Sequence, residues 1–301
     1  MADTTDINIA NTMTIPKTTV APDLEEGARG RGPMLDIHSH ILPNVDDGAG
    51  DLGESLEMAR IYLVNGIDKV IATPHYIEGA ESSTREQNLK ILGELRRALD
   101  EEGLDLEVYL GNEVYLTMDI MDDLKEGKVS TLNNSRYLLL ELPMFDVPLY
   151  TEDLIYQLRL EGYIPIIAHP ERNAKIAENP NILYEFIMQG ALAQLNLPSI
   201  EGRYGSSIED TGRLLLKHNM IHFVGTDAHS KDKRAPNVEE SLHILRGLVD
   251  DRTYEEITYL NGLKVIEDKD VKIEPPIKHV EMSYFGFIKD KLARFTRGLR
   301  K

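Results

Sequence analysis

Two short patterns in this chain have the makings of a metal site. His38 and His40 stand one residue apart, and Asp227 and His229 repeat that spacing with a carboxylate in the first place. Side chains alternate across an extended backbone, so residues two apart project to one side and can reach one cation. His75, Glu113, Glu141 and His169 supply further imidazole and carboxylate groups. Such a mixture of nitrogen and oxygen donors suits Mn, Fe or Zn rather than Ca, and it is typical of hydrolytic metal clusters. Each residue also has an ordinary reading. A lone His-x-His is more often solvated or hydrogen-bonded, and Glu113 or Glu141 alone could be a plain strand-end acid.

The elements that must position these residues decide between the readings. Short apolar runs at Met34–His38, Lys69–Thr73, Leu106–Glu113, Tyr137–Leu142, Ile164–His169, Ala191–Asn196 and Ile221–Asp227 give seven candidate strands. Amphipathic stretches lie between them: Leu52–Asn65, Arg85–Glu101, Asp119–Lys125, Thr151–Glu161, Asn181–Gln189 and Asp210–Asn219. Alternating β and α elements, with strands apolar enough to be buried on both faces, predict a parallel sheet wrapped by helices, and a barrel closes it most naturally. Helices at Val238–Val249 and Tyr254–Asn261 would finish the domain near residue 270. On this map the eight candidate donors fall at the C-terminal ends of six strands, and in a (β/α) barrel those ends converge on one face where sites are built. The remaining histidines, His218, His222, His243 and His279, receive structural roles.

Composition sets outer bounds. A formal charge of -18 opposes a nucleic-acid-binding body, because phosphate backbones are held by surplus Lys and Arg. Cysteine is absent, which removes every phosphatase route through a phosphocysteine. No apolar run of membrane-spanning length and no secretory signal is evident, so the cytoplasm is the expected location.

The segments Asp36–Gly48, Ile71–Tyr76, Gly111–Tyr115, Leu140–Pro143, Ala168–Asn173 and Gly225–Ser230 resemble, in order and spacing, the tyrosine phosphatases of bacterial polysaccharide operons. These belong to the PHP (polymerase and histidinol phosphatase) superfamily. The resemblance covers about residues 34–270 and implies a distorted seven-stranded (β/α)7 TIM-like barrel holding two or three divalent ions, most often Mn2+, with Fe, Co or Zn as alternatives. By motif, one metal would take His38, His40, Glu113 and Asp227. A second would share Glu113 and add Glu141 and His169, and a third would take Asp47, His75 and His229. Asp47 rests on this comparison, since the turn Asp46–Gly48 otherwise reads as a surface turn; either aspartate could face the metal, and the second is favoured.

The implied reaction is hydrolysis of phosphotyrosine by hydroxide drawn from metal-bound water, on a protein substrate, a bacterial tyrosine kinase that controls capsule or exopolysaccharide synthesis. A phosphoryl oxygen not held by metal calls for a bidentate donor. Arg172 and Arg234, on the loops after strands five and seven, match arginines in that family and are expected to act there. The rival readings are a histidinol-phosphatase-like small-molecule enzyme and a noncatalytic metal-binding module. The family also makes a homo-oligomer plausible.

Outside the matched region, residues 1–33 read as a disordered extension and 271–283 as a linker. Residues 284–301 form a basic tail with an apolar stripe of Phe285, Ile288, Leu292, Phe295 and Leu299. Such a helix could lie on an anionic membrane surface or an acidic partner, or pack on its own domain.

Overall fold

The computed structural model of the protein describes residues 33–80 and 82–280. The strands are β1 (Met34–Ser39), β2 (Ile67–Ala72), β3 (His75–Tyr76), β4 (Glu107–Leu110), β5 (Glu113–Tyr115), β6 (Tyr137–Glu141), β7 (Ile164–Ala168), β8 (Leu192–Asn196) and β9 (Phe223–Gly225). Every hydrogen-bonded neighbour pair is parallel. They form a three-stranded sheet in the order β1-β2-β4 and a six-stranded sheet in the order β3-β5-β6-β7-β8-β9. A single parallel bridge between Ser39 and Ala228 links the end of β1 to the chain just after β9.

Seven continuous strands are therefore not what forms. The expected third strand is cut at Gly111 and Asn112 into β4 and β5, and the chain after β2 resumes as the two-residue β3. The physical reason lies at two residues. Pro74 has no N–H to give a ladder, and a Cβ on Gly111 would stand 2.6 Å from Leu132 Cδ2. Asn112 fills the gap, donating from Nδ2 to Pro74 O (2.9 Å) and accepting from Ser130 N (2.9 Å). The break also sets the register in which His75 pairs with Glu113.

Strands in this arrangement are buried on both faces, so they alternate between two apolar environments instead of between core and water. In β6, Leu138 and Leu140 join the larger core that includes the helices, while Tyr137 and Leu139 pack in a second cluster with Leu35, Ile37, Ile166 and Phe223. The helix Arg85–Glu101 runs over the span its periodicity predicts and is closed by a capping box of Thr84 and Gln87, each satisfying an end N–H. The helix expected from Asp210 begins at Ser206. Short helices at Ala174–Glu178 and Leu197–Ile200 were too brief to show periodicity. The predicted Tyr254–Asn261 helix is instead Asp251–Glu255, a π turn at Glu256–Leu260, and Asn261–Ile266.

Helices return to strands through tight turns in which glycine adopts positive φ, as at Gly103 (66°) and Gly162 (89°), where a Cβ would strain the backbone. Residues 271–280 have no helix or strand, yet Ile277 N donates to His218 O (2.8 Å) and His279 N to Asn181 Oδ1 (2.8 Å). The N-terminal extension up to residue 32 and the basic tail 284–301 lie outside the described residues. No helix of the described residues is long and apolar enough to cross a membrane.

One buried histidine far from the candidate donors shapes acid stability. His222 Nδ1 accepts from Ala193 N (3.0 Å), so the ring proton sits on Nε2, which is buried without a partner. Burial holds this imidazole down at about 3. Between the ordinary value of 6.5 and that value the unfolded chain binds a proton that the folded chain does not, so stability falls as pH drops through this window. Thermal unfolding followed from pH 7 to pH 4 should show a steeper loss in the wild type than in His222→Gln; equal slopes would refute the assignment.

Candidate metal centre

Glu113, at the start of β5, is 1% exposed and lies among four imidazoles. Its Oε2 is 3.1 Å from His38 Nε2, 3.3 Å from His40 Nε2 and 3.1 Å from His75 Nδ1, and its Oε1 is 2.8 Å from His169 Nε2. Asp227 Oδ1 faces the same space, 3.6 Å from His38 Nε2 and 3.5 Å from His40 Nε2. Glu141 closes one side, 3.8 Å from His169 Nε2 and 3.9 Å from His75 Nδ1. On the outer side Asp47 Oδ1 stands 3.4 Å from His75 Nε2 and 3.3 Å from His229 Nε2.

All nine predicted donor residues are thus brought together. Eight of them form three overlapping groups: His38, His40, Glu113 and Asp227; His40, Asp47, His75 and His229; and His75, Glu113 and Glu141. The first matches the set implied by motif. The second adds His40 to the implied trio, and in the third His75 stands where His169 was expected, with His169 against the same two glutamates. His75 Nδ1 and His229 Nε2 are buried with no hydrogen-bond partner, as imidazole nitrogens are when their lone pairs await a cation.

The electrostatics favour positive charge in this space. Burial opposes a cation at His38 and His40, yet neighbouring carboxylates outweigh it: Glu113 and Asp227 raise His38 to about 9, and Asp46 and Glu113 raise His40 to about 10. Burial and then the Glu113 charge push Glu141 up to about 7. Burial and His40 hold His229 down at about 3, a neutral donor. Buried carboxylates beside several imidazoles make a space whose charge suits a divalent ion.

Residues 34–267 match the family described as capsular polysaccharide synthesis, CpsB/CapC. The chain belongs to this family. It is 37% identical over 257 residues to the tyrosine-protein phosphatase YwqE of Bacillus subtilis, covering 84% of this chain and 100% of that protein. It is 35% identical to the putative tyrosine-protein phosphatase CapC of Staphylococcus aureus, covering 85% and 100%. The tyrosine-protein phosphatase CpsB of Streptococcus pneumoniae is 28% identical over 78% of this chain and 99% of its own length. A crystal structure from work on YwqE and pneumococcal CpsB, described as unique metal-dependent tyrosine phosphatases, superposes with a TM-score of 0.79 at 36% identity. It covers 82% of this chain and 100% of its own.

Other residues hold the donors of this CpsB/CapC protein in place. Asp46, the alternative to Asp47, turns away from the shared space: its Oδ2 accepts from His40 Nδ1 (2.7 Å) and His75 N (2.9 Å), and its Oδ1 from Gly48 N (2.9 Å). Asp47 is the one that faces His75 and His229. Gly48 is required in this turn, because a Cβ there would lie 2.2 Å from His40 O. Within β1, Asp36 accepts from Tyr62 Oη (2.8 Å), Thr226 Oγ1 (2.5 Å) and the backbone N–H groups of His38 and Thr226 (3.1 and 3.0 Å). His169 and Asp227 both adopt left-handed backbone, with φ of 31° and 51°. Such strain persists only where surrounding structure enforces it, and it gathers at functional sites.

The two predicted arginines also arrive. Arg172 Nη1 and Arg234 Nη2 both donate to Asp227 Oδ2, at 2.9 and 2.6 Å, and Arg172 lies over the Tyr204 ring at 5.0 Å. Sequence reasoning missed Gln194 and Asn196 on β8. Their signal was visible, since two polar residues at i and i+2 in a strand buried on both faces need partners.

Proposed function

We propose that this CpsB/CapC protein is a metal-dependent protein-tyrosine phosphatase of capsule or exopolysaccharide synthesis, acting on phosphotyrosine of a bacterial tyrosine kinase. One observation carries the reading: eight donor residues spread along the chain meet in three overlapping groups whose ligand atoms lie within 4.8 Å of one another, and His169 stands 2.8 Å from Glu113 beside them. The relatives named as tyrosine-protein phosphatases supply the substrate class. The proposed holders of a first ion are His38, His40, Glu113 and Asp227. Glu113, Glu141 and His169 would take a second, and Asp47, His75 and His229 a third, with Mn2+ the favoured metal. On this reading the two sheets, joined at Ser39 and Ala228, act as one distorted barrel.

Bound divalent ions would lower the pKa of a water and screen charge on the phosphoryl group. The chain's own contribution is positional. Arg172 and Arg234, with planar guanidinium forks, suit the non-bridging phosphate oxygens and stand over Asp227 at the edge of the donor groups. Tyrosyl oxygen is a tolerable leaving group because phenol ionises near pH 10, so no strong acid need protonate it, and the sequence has no cysteine to take up the phosphoryl group.

The test compares phosphotyrosyl peptide with histidinol phosphate on protein supplied with Mn2+, Co2+, Mg2+ or Zn2+. Hydrolysis of the peptide is expected to be abolished by chelator and to exceed that of histidinol phosphate by at least about tenfold in kcat/KM, a 1.4 kcal/mol preference. A reversed preference would identify a small-molecule phosphatase. Silence with every metal would leave a binding module.

A further inference from the structure

Strand β8 is the one strand between β5 and β9 whose end brings no donor to the cluster, although it lies between β7, which leads to His169, and β9, which leads to Asp227. It carries Gln194 and Asn196 instead, both fully buried and two apart, hence on one face. Asn196 Nδ2 lies 2.7 Å from Asp227 Oδ2, Gln194 Nε2 lies 2.9 Å from Asn196 Oδ1, and Gln194 Oε1 lies 2.9 Å from His38 Nδ1.

The direction of every bond in this chain follows from its last member. The Asp227 carboxylate only accepts, so Asn196 must present its NH2. The amide oxygen of Asn196 then faces Gln194, which must present its own NH2. The remaining Gln194 oxygen faces His38 and only accepts, so the His38 proton sits on Nδ1. That leaves Nε2, the nitrogen facing Glu113 and Asp227 Oδ1, as the metal-facing atom. Asp227 Oδ2 meanwhile is taken by Asn196, Arg172 and Arg234, which leaves Oδ1 for the cluster.

Gln194 reaches His38 across an intervening strand, since β1 adjoins β9 where Asp227 N donates to His38 O (2.9 Å). Gly225 on β9 makes that reach possible. A Cβ there would lie 2.9 Å from Gln194 Nε2 and 3.0 Å from His38 Cβ.

Resting on the metal-site reading above, we infer that Gln194 and Asn196 are positioning residues. They fix His38 in the tautomer a cation requires and hold Asp227 with one oxygen toward the ions and the other toward the arginines. Imidazole ligands elsewhere are oriented by such outer hydrogen bonds, whose loss weakens metal binding about 10–100-fold.

Calorimetric titration of metal-free full-length protein with Mn2+, alongside its metal-free melting temperature, tests this. Gln194→Ala and Asn196→Ala should each weaken Mn2+ uptake by about 10–100-fold. Gln194→Met and Asn196→Leu keep nearly the same volume and remove the side-chain hydrogen bonds, so they should show a comparable loss even where alanine prevents folding. A purely structural role would lower the metal-free melting temperature and leave Mn2+ affinity alone. Wild-type affinity in both Gln194→Met and Asn196→Leu overturns the inference. A wild type that binds Mn2+ but ignores phosphotyrosyl peptide defeats the proposed function and leaves the affinity comparison standing. A wild type that takes up no divalent ion defeats both.

Discussion

Glu113→Gln is expected to lower kcat/KM by about a thousandfold or more, since a hydrolytic metal cluster supplies several kcal/mol of transition-state stabilisation. The side chain keeps its size, so the effect isolates charge. In the wild type both carboxylate oxygens face imidazole nitrogens, with His38, His40 and His75 around one and His169 on the other. An amide can offer only one acceptor, and its NH2 would point at nitrogens whose lone pairs must stay free. Bound metal, counted by elemental analysis, should drop together with turnover. Retention of both within tenfold would mean that Glu113 is a buried structural acid and that the cluster is organised around something else.

Asp227→Asn is expected to reduce kcat/KM by about 10^2–10^3-fold, the scale on which preorganised charge stabilisation is lost when one group is removed. Asparagine tolerates the left-handed backbone that Asp227 occupies, so strain is not the cause. The loss comes from splitting a double duty. One oxygen faces His38 and His40, and the other gathers Arg172, Arg234 and Asn196. With an amide, one of these duties fails. Because Arg234 depends on Asp227, the double change Asp227→Asn with Arg234→Ala should cost little more than Asp227→Asn alone. Kinetics of the two single variants and the double decide this; strict additivity would show that the arginine works independently.

The donor residues could be read from spacing because strand alternation leaves few choices. His38 with His40, and Asp227 with His229, must share a side wherever the chain is extended, and strand ends in a parallel α/β fold must share a face. The Asp46–Asp47 choice was not legible in the same way. Both sit in one turn, where no periodicity tells the outward carboxylate from the one that turns back under His40. The split third strand was equally hidden, since Gly111 in an apolar run signals close approach without saying which side chain approaches; here it is Leu132. Gln194 and Asn196 were overlooked for a related reason. Their spacing two apart marks buried amides that need partners, but amides carry no charge to point to them, and their role exists only once β8, β9 and β1 are laid side by side.

The glycine turns at Gly103 and Gly162 have open space around them, with no atom within 4 Å of an added Cβ, and each carries the chain from a helix back into a strand, at the rim opposite the donors. Chemistry and chain reversal are thereby segregated to two ends of the same fold. A peptide tag spliced in at either glycine would extend a solvent-facing bend, and the catalytic apparatus should tolerate it. The same splice after His75 or Glu141 would open the cluster itself. Tagging, permutation and domain grafting in this protein are thus matters of choosing the correct rim.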